Sequence, residues 1–101
     1  MYPYTTPYHR FTLPVPVSSL AKLYVTYVAD GTVLFEKTLD DCDAVDDHTV
    51  RVHLQQQDTG KISGDGGMVE VQVTLLTADS ERMTSRIVRL SSGKILKDGE
   101  I

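Results

Sequence analysis

The amino-acid sequence predicts an all-β protein, and two observations carry that prediction. Val69, Val71, Val73 and Leu75 stand at every second position with Glu70, Gln72 and Thr74 between them, the period of a strand with one face on a core and the other in water. Short runs of this kind, cut by Gly, Asp and Pro, fill nearly the whole chain.

Residues 1–7, Met-Tyr-Pro-Tyr-Thr-Thr-Pro, form an N-terminal arm that its prolines keep out of a helix and hold extended. Tyr2, Tyr4 and Tyr8 crowd the first eight positions. Tyrosine joins a large apolar area to a polar tip and is enriched where proteins meet, so these three are read either as cover for the domain's own edge or as an arm for a partner. A first strand is expected over residues 8–13, ended by Pro14 and Pro16, which cannot donate to a central ladder. Ser18 or Ser19 is placed to cap one helical turn.

Residues 21–29 and 32–38 read as two strands joined by Asp30-Gly31, the strongest short-range hairpin signal. A two-residue loop pairs Ala29 with Thr32. That register puts Leu23, Val25, Tyr27 and Leu34 on one face and Tyr24, Val28, Val33 and Phe35 on the other. Both faces are then largely apolar, so the second is expected to be covered by another element or by another subunit.

Residues 39–48 hold Asp40, Asp41, Asp43, Asp46 and Asp47 in an acidic loop or short edge segment. Residues 49–54 read as a strand with Val50, Val52 and Leu54 inward and Arg51 and His53 outward. A short helical turn is expected within 55–62, followed by the glycine-rich residues 63–67 as the most flexible stretch. Residues 68–77 and 82–90 form a second hairpin across Ala78-Asp79-Ser80-Glu81. A four-residue loop there sets Glu70 opposite Arg89, whereas a three-residue loop would turn Ile87 to the core. Ser92-Gly93 is expected to break the last strand and open a tail over residues 92–101, whose Ile95, Leu96 and Ile101 are read as docking on the sheet or on a neighbour.

Six to seven strands in 101 residues, separated by frequent turn signals, fit an immunoglobulin-like β-sandwich; a small closed β-barrel would use the same alternation. The length allows a single domain over residues 1–101. A net charge of −4 disfavours nucleic acid as a partner. Arg82, Arg86 and Arg89 do not share one strand face. Cys42 is the only cysteine, so no internal disulfide forms and a reducing compartment is expected. Neither a secretory signal nor a run of about 20 apolar residues is present, and no membrane is expected as a partner.

Catalytic and cofactor chemistry finds little support in the residues. The acids around His48 lack the glycine bend and ligand spacing of a calcium loop and read as a solvated loop that discourages edge pairing. Cys42 lies near His48 in sequence, but its surroundings match no nucleophile motif; it reads as a half-buried thiol. His9 and His53 read as surface histidines. Gly64, Gly66 and Gly67 precede a strand where a phosphate loop needs a helix. No catalytic residue, metal or cofactor is therefore assigned, and the chain is expected not to be an enzyme.

Five segments, Phe11-Thr12-Leu13-Pro14, Lys22-Leu23-Tyr24-Val25-Thr26-Tyr27, Glu36-Lys37-Thr38, Val69-Glu70-Val71-Gln72-Val73 and the closing Ile95-Leu96-Lys97-Asp98-Gly99-Glu100-Ile101, resemble a group of small proteins encoded in prophages of Gram-positive bacteria. The resemblance implies a β-rich phage structural or tail-associated component that works by assembly, in the virion or the bacterial host cytoplasm. Its partners would be other phage structural proteins or further copies of itself. The expected contact surface is Tyr2, Tyr4, Tyr8, Tyr24, Val28, Val33, Phe35, Ile95, Leu96 and Ile101. The alternative is an adhesion or carbohydrate-binding module stacking sugars on Tyr24 and Tyr27.

Overall fold

The computed structural model of the chain describes residues 1–62, 65–85 and 87–94. It is all-β: two antiparallel sheets enclose the core, with one short α-helix and two single 3-10 turns between strands among the described residues. Strands β1 (Tyr8–Thr12), β5 (Thr49–His53) and β4 (Cys42–Asp46) form the first sheet in the order β1-β5-β4. The second contains β3 (Thr32–Thr38), β2 (Leu20–Ala29) and β6 (Asp65–Thr77) in that order, with β7 (Arg82–Thr84) and β8 (Val88–Lys94) both pairing with β6.

Glu70 and Val71 pair with β2 and with β8 at once, so β8 lies on the edge of β6 that faces away from β2. Segments β7 and β8 thus occupy one strand position, which gives seven positions among the described residues. An immunoglobulin variable domain orders its strands B-E-D in one sheet and C′-C-F-G in the other. Successive strands of this chain fall into those two orders, and the position of a first strand beside β1 is vacant among the described residues. The fold is an immunoglobulin-like β-sandwich.

The core is built from the inward positions of both sheets: Leu23, Val25, Tyr27 and Phe35 from the first hairpin, Val69, Val71, Val73 and Leu75 from β6, and Val50, Val52 and Leu54 from the β5 region. The alternation in β2, β5 and β6 therefore reads out as expected. Phe35 does not. A β-bulge between Tyr27 and Val28 shifts the register from Val28↔Val33 to Tyr27↔Phe35. The extra residue, Leu34, is left half-buried, and Phe35 turns inward to stack on Tyr27 with ring centroids 4.4 Å apart. Phe35 is 7% exposed, so it belongs to the core and not to a contact surface.

The turn itself follows the sequence. Asp30 (φ 52°) and Gly31 (φ 75°) both adopt positive φ, as a two-residue type I′ loop requires, and Ala29 faces Thr32. In the second hairpin Leu75 pairs with Met83, whereas Glu70 pairs with Arg89. The register shifts by one residue at the break between β7 and β8. The loop is the three-residue one, since Thr77 N–H donates to Glu81 O, yet the register shift sets Glu70 opposite Arg89, at 3.9 Å, and leaves Ile87 exposed.

Two strand boundaries differ from expectation, the start of β6 and the end of β8, while the short edge segment and the helical turn fall where they were expected. Strand β6 begins at Asp65 and β8 continues through Ser92 and Gly93 to Lys94, because the two segments hydrogen-bond to each other as a ribbon extending past the end of β2. Cys42–Asp46 forms an edge strand within the acidic segment. Helix α1 (Gln56–Thr59) is a single turn, held at its start by the Asp58 carboxylate, which accepts from the Gln55 N–H at 2.9 Å.

Candidate binding cleft

Among the described residues β1 is an edge strand whose outer side carries no neighbour. Leu54 N–H donates to Pro7 O at 2.9 Å and Leu13 N–H to His48 O at 2.6 Å. In an antiparallel ladder, hydrogen-bonded pairs alternate with non-bonded ones, so residues 7, 9, 11 and 13 spend their backbone groups on the β5 side. The N–H and C=O groups of Tyr8, Arg10 and Thr12 consequently point away from the sheet. On the opposite sheet, Thr77 N–H donates to Glu81 O and Ser85 N–H to Val73 O. The same alternation directs the backbone of Arg82 and Thr84 away from β6.

Between these two open edges lies a cleft of about 300 Å³. Its floor is apolar, made by Leu13, Val71, Val73 and Leu75, with Met83 and Val88 on one side and Arg10, Phe11 and Thr12 on the other. Val88 is 52% exposed even though it borders the core. The cleft occupies the vacant first-strand position of the sandwich. None of its residues stands out in the sequence as a site residue, because alternation identifies a core face without revealing which side of the sandwich is left uncovered.

The N-terminal arm packs against the end of β5 and against α1. Pro3 is fully buried and Met1 packs on the core. Thr59 Oγ1 donates to Thr5 O at 2.7 Å, and His53 Nε2 meets Thr6 O at 3.1 Å. The arm is thus an integral part of the fold. Tyr4 is half-buried, while Tyr2 and Tyr8 are exposed. The Tyr8 ring stacks on His53 at 4.0 Å and lies 4.8 Å beneath the Arg51 guanidinium.

On the outer face of the larger sheet, Tyr24 and Val28 are half-buried and Val33 is exposed. Their neighbours are polar: Thr26 donates to the Glu36 carboxylate at 2.9 Å, and Gln72 Nε2 donates to Ser85 O at 3.0 Å. The second face of the first hairpin is accordingly mixed and not largely apolar, since the bulge has removed Phe35 from it. Tyr27 is 0% exposed and is closed to sugar stacking. Ile95, Leu96 and Ile101 lie outside the described residues.

His9 departs from its surface reading. It shares the inward side of β1 with Phe11 and places Nδ1 2.6 Å from the Tyr27 hydroxyl, with the rings stacked at 5.7 Å. Burial lowers its pKa below the usual imidazole value, and the positive N-terminus lowers it further; burial likewise raises the Tyr27 hydroxyl, so the phenol stays protonated. The spacing His9, Phe11, Leu13 is the signal in the sequence for this inward position.

Cys42 is half-buried, with Sγ 3.4 Å from Thr38 O. Burial, followed by Asp41 and Asp43, pushes its pKa up to about 11. The thiol is held in its non-nucleophilic form. In the acidic segment Asp43 approaches Arg51 at 3.5 Å and Asp46 accepts from the His48 N–H at 2.9 Å. No group of three or more His, Cys, Asp or Glu residues is placed to hold a metal among the described residues, and no described helix is long and apolar enough to cross a membrane.

No protein-family model matches the chain, and no curated protein does. Two solved structures are similar. The V domain of amphioxus IgVJ-C2 is 14% identical with a TM-score of 0.38, over 94% of this chain and 100% of that one. The amphioxus IgVJ-C2 molecule is 16% identical with a TM-score of 0.35, over 91% of this chain and 53% of that one. The immunoglobulin-like character of the fold lies in the strand order of the two sheets.

Proposed function

We propose that this chain is a non-enzymatic phage or prophage structural protein that acts in assembly through protein–protein contacts. The observation that carries the reading is the open side of the sandwich, where the unpaired backbone of Tyr8, Arg10 and Thr12 faces that of Thr84 across an apolar cleft. Exposed strand edges are templates for another chain and are ordinarily short, charged or covered; here an apolar floor lies beside them. Backbone groups of such an edge supply affinity, and side-chain pockets fix the register. The prophage resemblance in the strand segments supplies the setting.

Quantitative mass spectrometry of purified phage particles against soluble lysate, after induction of a host carrying the encoding element, tests this proposal. Enrichment at a fixed copy ratio is the expected result. A chain confined to the soluble fraction, with no association with any particle precursor, would remove the structural role.

A further inference from the structure

We propose that the outer face of the smaller sheet binds an acidic peptide segment of a partner protein, with Arg10 and Arg51 clasping one of its carboxylates. This deepens the assembly reading, on which it rests, by naming the chemistry of one contact. His9, Phe11, Val50 and Val52 take the inward positions of β1 and β5, so Tyr8, Arg10, Arg51 and His53 share the outer face.

Arg10 and Arg51 stand directly opposite each other. Residues 9 and 11 spend their backbone groups on β5, so the two arginines form a non-hydrogen-bonded pair, the kind whose Cα atoms approach to about 4.5 Å and whose side chains lie closer together. Like charges placed in this way repel. The fold does little to offset them. Asp43, on the far side of Arg51, is 73% exposed and meets its Nη2 at 3.5 Å, beyond the roughly 2.7 to 2.9 Å of a charge-assisted hydrogen bond. Arg51 Nε is buried with no hydrogen-bond partner, and Arg10 is exposed and forms no ion pair, among the described residues. Two guanidiniums against one carboxylate leave a positive charge uncompensated on this face. Local conflicts of this kind concentrate at functional surfaces.

The charge balance selects the ligand. A carboxylate carries a single negative charge, which equals the excess, and its two oxygens accept from two guanidinium groups at once. A phosphate chain would bring further negative charge beside Asp43 and Asp46 of β4, which would repel it. A peptide sets one acid among neutral residues. Tyr8, next along the face and 55% exposed, offers those neighbours apolar area with a polar tip.

The test is a titration of the isotope-labelled full chain with a blocked peptide of glycines around a single Glu, followed through the Nε–H signals of Arg10 and Arg51. A saturable shift of both is expected, lost in Arg10→Gln. Replacing the peptide's Glu by Gln should weaken binding by about tenfold or more, the ratio for loss of a charge-assisted hydrogen bond. Inorganic phosphate at matched ionic strength should bind more weakly than the Glu peptide. Arg10→Glu, which builds a carboxylate opposite Arg51, should melt at a higher temperature than the wild type and no longer bind. Circular dichroism shows whether each variant folds; Arg51→Gln replaces Arg10→Gln if that one does not.

Equal binding of the Glu and Gln peptides overturns the proposal. So does tighter binding of phosphate, which would make the face a phosphate site, or an Arg10→Glu melt below the wild-type value, which would show that the two arginines are already balanced. These readouts are independent of the particle experiment: a chain enriched in particles that ignores the Glu peptide keeps the assembly role and loses this contact. A chain that binds the peptide and stays out of particles keeps the contact and loses the phage setting.

Discussion

Tyr27 places a hydroxyl in the middle of the sandwich, and His9 Nδ1 meets it at 2.6 Å. Tyr27 is fully buried and His9 partly so, and losing one partner leaves the polar atom of the other unsatisfied beside the core. Tyr27→Phe is expected to lower unfolding free energy by about 1 to 2 kcal/mol in urea titrations, the cost of a hydrogen bond plus an unsatisfied group. The same pair makes stability depend on pH. The imidazole pKa is lowered in the folded state by burial, so as pH falls through about 6.5 the unfolded chain takes up a proton before the folded one does. Stability from this residue is full above that value and declines below it until the folded imidazole also protonates. Chemical denaturation at pH 7.5 and 5.5 should show this loss, and His9→Phe should flatten it. A His9→Phe variant with the wild-type pH slope would show that other groups set it. Of this pair, only the placement of Tyr27 on the face of Leu23 and Val25 is legible in the sequence. His9 misleads because its polar type suggests a surface position, whereas its alternation with Phe11 and Leu13 puts it inside.

At the level of elements, turn chemistry and alternation tell most of the story, and backbone irregularities change the rest. Asp30-Gly31 identifies the first hairpin, and Val50, Val52, Leu54 and the β6 valines identify inward faces. The bulge that brings Phe35 to the core adds one residue to one strand; it leaves no trace in a period-two pattern that is apolar on both sides. The break between β7 and β8 is of the same kind. Gly31 has φ +75° and nothing within 4 Å of where a Cβ would stand, so its constraint is conformational alone. Gly31→Val should cost about 1 to 2 kcal/mol and Gly31→Asn clearly less, as thermal melts of the two variants would reveal. Gly60 is constrained differently. A Cβ there would stand 2.6 Å from Tyr4 Cε1 and 2.8 Å from Gln56 O, so Gly60→Ala must displace the arm or the helical turn. A loss of about 1 to 3 kcal/mol is expected for such overpacking, with new proteolytic sensitivity in residues 1–7. An unchanged melt and an uncut arm would mean that the arm packs elsewhere in solution.

Across the whole molecule the two sheets are fastened unevenly. On one side Lys37 of β3 reaches Asp58 of α1 at 2.9 Å, with side chains 18% and 15% exposed, and the arm bonds to that same helical turn through Thr59. Asp58 also holds the start of that turn, and the His9 to Tyr27 bond ties β1 to β2 nearby. On the other side lies the cleft, with unpaired edges and Val88 half open to water. Central strands with paired neighbours on both sides, β2 and β6, should open only with global unfolding, whereas edges open at little cost. Amide hydrogen exchange at a concentration where the chain is monomeric therefore has a defined expected pattern. Val25 and Tyr27 should exchange at rates near the global unfolding limit, while Arg10, Thr12 and Thr84, whose N–H groups point into the cleft, should exchange orders of magnitude faster. The inward residues of β1 supply the internal control: Phe11 N–H faces β5 and should be protected although it is flanked by two fast amides. That alternation along a single strand distinguishes an open edge from a loosely packed sheet, in which all of β1 would exchange alike. Uniform protection of Arg10, Phe11 and Thr12 in the monomer would mean that the cleft is already filled.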